Sequence, residues 1–177
     1  MQTSALLFFV ITLAAIAVFL IGSAVWIVVK AKIRNTPNAK KLALFSLACV
    51  VLAIASWFLN MGWNRTVLTL LLIPFVHVFI FSLTNLVAAS YVDESRTMRL
   101  FSLFFCITYV LAYLFYPDGD FDGRSYFFFS LVRNYTFVNI AQYVSYIAFF
   151  AHIVLLVLQI IQIAKLKKKR KSCEDAD

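Results

Sequence analysis

Long apolar runs recur five times along this chain, and the loops between them are too short to hold a water-soluble domain. A helix rising about 1.5 Å per residue needs roughly 20 apolar residues to cross a hydrocarbon core about 30 Å thick. Runs of that order fall at Ala5 to Val29, Leu42 to Leu59, Val67 to Val92, Leu100 to Tyr116 and Tyr135 to Ala164. The second and fourth are short and the fifth is long, which predicts tilt rather than five upright rods. At 63% hydrophobic and 14% charged residues, with a mean hydropathy of +0.90, the composition excludes a soluble domain of this length. The expected fold is an all-α integral membrane protein. Residues 1–164 form one compact bundle of five transmembrane helices, and residues 165–177 form a basic, then acidic, disordered tail.

Orientation follows from Lys and Arg, which are retained on the cytoplasmic side. Lys30, Lys32, Arg34, Lys40 and Lys41 crowd the first loop, Arg96 and Arg99 lie in the third, and Lys165, Lys167, Lys168, Lys169, Arg170 and Lys171 follow the last span. Only Arg65, Arg124 and Arg133 fall on the other side. The amino terminus is therefore expected outside and the carboxyl terminus inside, which an odd number of spans satisfies. Met1 to Ser4 carries no charge and the run that follows is too long for a signal-peptide core, so the first span is read as a retained helix. The expected location is the plasma membrane, multi-pass.

The net charge of +8 belongs to this topology and is no nucleic-acid signature. Basic side chains at the Lys165 to Lys171 run attract anionic headgroups by about 1 kcal/mol each, so anionic lipids at the cytoplasmic face are expected partners. Of the three cysteines, Cys49 and Cys106 fall within spans and Cys173 in the reducing cytoplasm, which predicts no disulfide.

Helices in lipid associate through close backbone approach at small residues. Ala14, Ala17 and Ala24 share a face of the first span, and Ser46, Cys49, Ala53 and Ser56 run down the second at spacings of three and four. In the fourth span, Ser102, Cys106, Tyr109, Tyr113 and Tyr116 make a similar stripe, and Tyr109 lies deep enough to need a hydrogen-bond partner inside the bundle. Pro74 is expected to kink the third span, which also carries His77, Thr84 and Asn85.

The fifth span is the most polar. Gln142, Ser145, His152 and Gln159 fall within an arc of roughly 100° at 3.6 residues per turn, with Tyr146 and Asn139 beside its outer part. Bare lipid offers such a stripe no partner, so it faces either another helix or a polar cavity. The candidate residues for ligand or cavity contact are thus His77, Asn85, Tyr109, Gln142, Ser145, Tyr146, His152 and Gln159. His77 and His152 suggest bis-imidazole haem ligation, but counting from the span centres puts them at depths several ångströms apart, against a flat haem.

Between the last two spans, Asp118, Asp120 and Asp122 followed by Gly123 match the first half of an EF-hand calcium loop. The second half departs from it, with Phe129 where the bidentate Glu belongs. A calcium site here would be incomplete and of low affinity; no other cofactor is expected. Tyr126 to Val132 is aromatic and too short to cross, and is read as an interfacial or re-entrant segment before the last helix.

Every acid lies in a loop or the tail, and HExxH, GxSxG and Walker-type strings are absent, so catalysis is disfavoured. The expected function is that of a non-catalytic accessory, regulatory or lipid- or ligand-binding subunit of a membrane assembly, paired with a membrane-protein partner or with itself. An oligomeric channel or transporter component built on the polar face of the fifth helix is the alternative, and a membrane-embedded enzyme or haem protein the next.

Overall fold

In the computed structural model, residues 36–60, 62–119 and 125–174 are described. The first apolar run, with Ala14, Ala17 and Ala24, and the acids Asp120 and Asp122 lie outside them. The described chain folds into five helices and one short hairpin: α1 (Pro37–Leu59), α2 (Trp63–Leu70), α3 (Ile73–Ala89), α4 (Arg96–Leu114), β1 (Asp118–Gly119), β2 (Ser125–Tyr126) and α5 (Tyr135–Glu174). Three of the helices, α1, α4 and α5, are long and apolar enough to cross a membrane, and α2 with α3 passes the same test as a pair bent by 69°.

The helix starts are written locally. Thr36 caps α1 by accepting from the Ala39 N–H at 3.3 Å, and Pro37 opens the helix where a missing N–H costs nothing. Asn134 does the same for α5, its side-chain oxygen accepting from the backbones of Thr136 and Phe137.

Buried positions then alternate in steps of three and four. On α1 they are Ala39, Leu42, Ser46, Cys49, Ala53 and Ser56; on α4, Met98, Ser102, Phe105, Tyr109 and Ala112. On α5 they include Val138, Ala141, Ser145, Ala148, His152, Gln159 and Leu166. A mean step of 3.5 residues is the seam of left-handed helix packing. The expected Ser46, Cys49, Ala53 and Ser56 face is indeed turned inward. Helix α4 is central, packed most extensively against α5 and next against α1, while α3 lies chiefly on α1 and α5. Ala39, Ala53 and Ala88 are fully buried at these contacts, where a small side chain lets neighbouring backbones close up.

The third apolar run departs from expectation. Instead of one helix kinked at Pro74, the chain leaves α2 at Leu71, passes through a left-handed residue at Leu72 (φ 59°) and starts α3 at Ile73. Pro74 stands in the first turn of α3, where its lack of an N–H leaves no acceptor stranded. A proline that would damage a helix interior thus serves as a helix start.

Residues 165–174, expected as the start of a disordered tail, continue the last helix, and residues 175–177 lie outside the described residues. That helix runs for 40 residues to Glu174, about 60 Å, with Lys165 to Lys171 inside it. Lys and Arg are good helix formers, and cations in a final turn interact favourably with the helix dipole.

Tyr126 to Val132, the aromatic segment before the last helix, forms a tight reversal. Phe127 and Val132 pair through two backbone hydrogen bonds, and Phe128, Phe129 and Ser130 are all left-handed, with φ of 51°, 59° and 62°. Each such residue costs roughly 1–2 kcal/mol. The turn is held from outside: Ser130 donates its N–H to the Asn60 side chain and its hydroxyl to the Leu59 carbonyl at 2.7 Å.

Candidate functional site

Polar side chains gather at four levels along the bundle. At one end, Arg65 is fully buried. Its Nη1 donates to the Ser56 carbonyl at 2.5 Å, and its Nη2 donates to the carbonyls of Tyr113 and Tyr116. Ser56 and Tyr113 belong to the last turns of α1 and α4; the Ser56 carbonyl also accepts the Asn60 N–H at 3.1 Å, and the Tyr113 carbonyl also accepts the Ser56 hydroxyl at 3.0 Å. One guanidinium therefore closes two helix ends. The faces of Trp57 and Tyr116 lie 5.0 and 5.5 Å from its central carbon.

Asp118 completes this knot and is only 2% exposed. Its Oδ2 accepts from the N–H groups of Gly62 and Arg65, both at 2.9 Å, and its Oδ1 from Asn64 at 3.2 Å and Gly119 at 2.8 Å. Four donors meet the roughly four lone-pair sites of a carboxylate. The residue proposed from the sequence as the first calcium ligand is thus engaged as a helix cap. Its companions Asp120 and Asp122 are outside the described residues.

At the middle level, His77 of α3 and His152 of α5 stand in ring contact, centroids 4.9 Å apart at 81°. This corrects the expected mismatch in depth. Because α3 begins afresh at Ile73, a depth counted from the middle of an unbroken run does not apply. His77 Nδ1 lies 2.9 Å from the Tyr113 hydroxyl, and His152 Nδ1 lies 3.2 Å from the Phe105 carbonyl and 3.4 Å from the Thr108 hydroxyl. Tyr109 stacks on Phe81 at 3.9 Å and sits 5.2 Å from His77. Its hydroxyl lacks the hydrogen-bond partner expected for it among the described residues.

The third level is a seam of side-chain hydrogen bonds. Gln159 Nε2 donates to Ser102 Oγ at 3.1 Å and to Asn85 Oδ1 at 3.4 Å, while the Asn85 amide points to Cys106 Sγ at 3.6 Å. Ser46 Oγ lies 3.7 Å from the same sulfur. Ser145, two heptads before Gln159, donates to the Ala112 carbonyl at 2.8 Å. Three members of the predicted polar arc, Ser145, His152 and Gln159, therefore face α4. The fourth does not: Gln142 is half-buried and donates to Tyr146 one turn on along its own helix.

At the far end, the Ser90 to Ser95 turn is pinned by three helices. Asn38 of α1 donates to Asp93 at 2.6 Å, and Arg99 of α4 lies 3.8 Å from the same carboxylate. Arg170 of α5 pairs with Glu94, donates to the Ser90 carbonyl and covers the Tyr91 ring at 4.6 Å. Lys165, Lys167, Lys168, Lys169 and Lys171 are exposed around it. A cavity between α1 and α3, lined by Ala53, Trp57, Pro74, Val78 and Tyr113, has about 20 Å³, the room of one water.

Sequence reasoning had no place for the Arg65–Asp118 knot. The available signal was an arginine and an aspartate close to membrane-length runs, where charge is expensive and commonly engaged. Comparison with protein families, with curated proteins and with solved structures gives no match.

Proposed function

We propose that the chain is a five-span integral protein of the plasma membrane, amino terminus out and carboxyl terminus in, acting without catalysis as an accessory or regulatory subunit of a membrane assembly. One observation supports this reading above the others. The inward polar residues of the long last helix bond to α4 and α3, Ser145 to Ala112, His152 through Nδ1 to Phe105, and Gln159 through Nε2 to Ser102 and Asn85. The broadest face the bundle offers to other molecules is its outer surface. Along α5 that surface is bulky and apolar, with Tyr143, Ile147 and Phe150 about 70% exposed, and it ends in the exposed lysines of its last turns. An apolar belt closed by a basic rim suits lipid and helix partners, with anionic headgroups held at the rim.

The experiment is native mass spectrometry of the protein released gently from its own membranes, with single-cysteine labelling of intact cells to fix sidedness. A second polypeptide carried with the chain, and labelling at residue 130 but not at residue 168, are the expected results. A bare homo-oligomer that conducts ions in liposomes would replace the subunit reading with that of a channel.

A further inference from the structure

The last turns of α5 are seated on the 90–95 turn. Gln162 donates to the Ser95 hydroxyl at 3.4 Å, Leu166 is buried, and Arg170 donates to the Ser90 carbonyl at 3.2 Å. These residues recur at steps of four, so one face of the helix is fixed to the bundle over about two turns. The opposite face is thereby fixed as well.

That opposite face changes character at one residue. Val154, Val157 and Ile161 are 43%, 51% and 45% exposed on it, and the exposed Lys165, Lys168 and Lys171 continue the same column at steps of three and four. No acid interrupts the column, and the sequence turns acidic only at Glu174. At about 1.5 Å per residue, Lys168 stands about 4.5 Å and Lys171 about 9 Å beyond Lys165. The headgroup layer is only about 5–8 Å deep on each side of the hydrocarbon. A lipid with a single phosphate therefore meets the lowest lysine and leaves the upper ones without an anion. A headgroup that carries a further phosphate above its diester meets all three. Helical side chains also lean toward the helix N-terminus, which on α5 points back at the membrane, so these lysines suit an anion rooted in the bilayer better than one arriving from solution. We propose that Lys165, Lys168 and Lys171 bind one phosphoinositide-type lipid, its diester at Lys165, a phosphomonoester at Lys168 and Lys171, and an acyl chain along Val157 and Ile161. The proposal rests on the cytoplasmic placement and anionic rim of the preceding reading, and names the headgroup that the rim selects.

The test places the full-length protein in phosphatidylcholine nanodiscs containing phosphatidylinositol bisphosphate, phosphatidylglycerol or cardiolipin at equal total lipid charge, and measures the lipid retained per chain by native mass spectrometry. Preferential retention of one phosphatidylinositol bisphosphate is expected. Lys168→Gln combined with Lys171→Gln should weaken it by about 30-fold, the loss of two cations near an anionic headgroup. Lys167→Gln combined with Lys169→Gln removes the same charge from beside the column and should weaken it much less. Gln keeps good helix propensity, so both variants should fold. Equal retention of phosphatidylglycerol or cardiolipin at matched charge overturns the proposal and leaves the anionic rim standing. Equal losses in the two double variants overturn it too, since charge without position would then decide. An unaltered protein that retains no anionic lipid in preference to phosphatidylcholine removes the rim reading as well.

Discussion

The Asp118 carboxylate caps a helix that begins more than fifty residues earlier, accepting the Arg65 N–H at 2.9 Å at the start of α2. Gly62, the residue before that helix, has no side chain to do so, and the approach is too close to admit one. A Cβ there would sit 2.6 Å from the Gly119 carbonyl and 2.7 Å from the Asp118 carboxyl carbon. Asp118→Ala is expected to lower stability by about 1–2 kcal/mol, the usual worth of a helix cap. Asp118→Asn, which keeps one acceptor oxygen, should lose less, and Gly62→Ala should be as damaging as Asp118→Ala. Unfolding in mixed micelles with increasing SDS measures all three; an unaltered midpoint for Asp118→Ala would remove the cap from the account.

Arg65 is the complementary half of the knot. Hydrogen bonds from a charged donor contribute about 1.5–3 kcal/mol each, and when Arg65 is lost the Ser56 carbonyl keeps only the Asn60 N–H and the Tyr113 carbonyl only the Ser56 hydroxyl. A lysine reaches with one ammonium and cannot reproduce a planar fork aimed at Ser56, Tyr113 and Tyr116. Arg65→Lys is therefore expected to destabilise by about 2 kcal/mol or more, nearly as much as Arg65→Ala. Its effect should be concentrated at the ends of α1 and α4, read as faster amide exchange near Leu59 and Leu114. A lysine that behaved like arginine would mean that charge alone, without the fork, holds the two helix ends.

Much of the bundle was legible because its signal is local. The spacing of Ser46, Cys49, Ala53 and Ser56, and of Ser145, His152 and Gln159, reports the inward face of each helix directly. Three features were not legible, each for a physical reason. The break at Leu72 lies in a run of leucines with no glycine to announce a left-handed residue. The donors that saturate Asp118 come from Gly62, Asn64 and Arg65, so acids spaced like a calcium loop turn out, at this position, to be set by a remote helix. The histidines meet only because α3 restarts after that break, which no count of residues per turn anticipates.

Gln159 links α5 to both α3 and α4 through one amide. Hydrogen bonds between helices in a membrane average about 0.6 kcal/mol and reach about 1.7 kcal/mol. Gln159→Leu is expected to destabilise by about 1 kcal/mol and to leave Asn85 and Ser102 able to meet each other or a water. If the residue instead lined a conducting or ligand-binding passage, the same change would abolish activity at unaltered stability. Paired SDS unfolding and liposome flux measurements on this variant separate the two.

The cationic end of α5 combines a fixed point with a free surface. Arg170 is held by Glu94, the Ser90 carbonyl and the Tyr91 ring, whereas Lys167, Lys168, Lys169 and Lys171 are exposed. These roles predict different losses. Glu94→Gln removes a partly exposed pair worth at most about 1 kcal/mol, and should show as faster amide exchange over residues 165–174 with little change in lipid preference. Replacing the four lysines by Gln should leave that exchange unaltered, since Gln keeps good helix propensity. It should instead remove the extra stability that phosphatidylglycerol gives over phosphatidylcholine in nanodiscs, at about 1 kcal/mol per lysine near the surface, with the effect screened by salt. A four-lysine variant that still prefers the anionic lipid would transfer the headgroup contact to Lys40, Lys41 and Arg96, which the pinned 90–95 turn ties to the same end of the bundle.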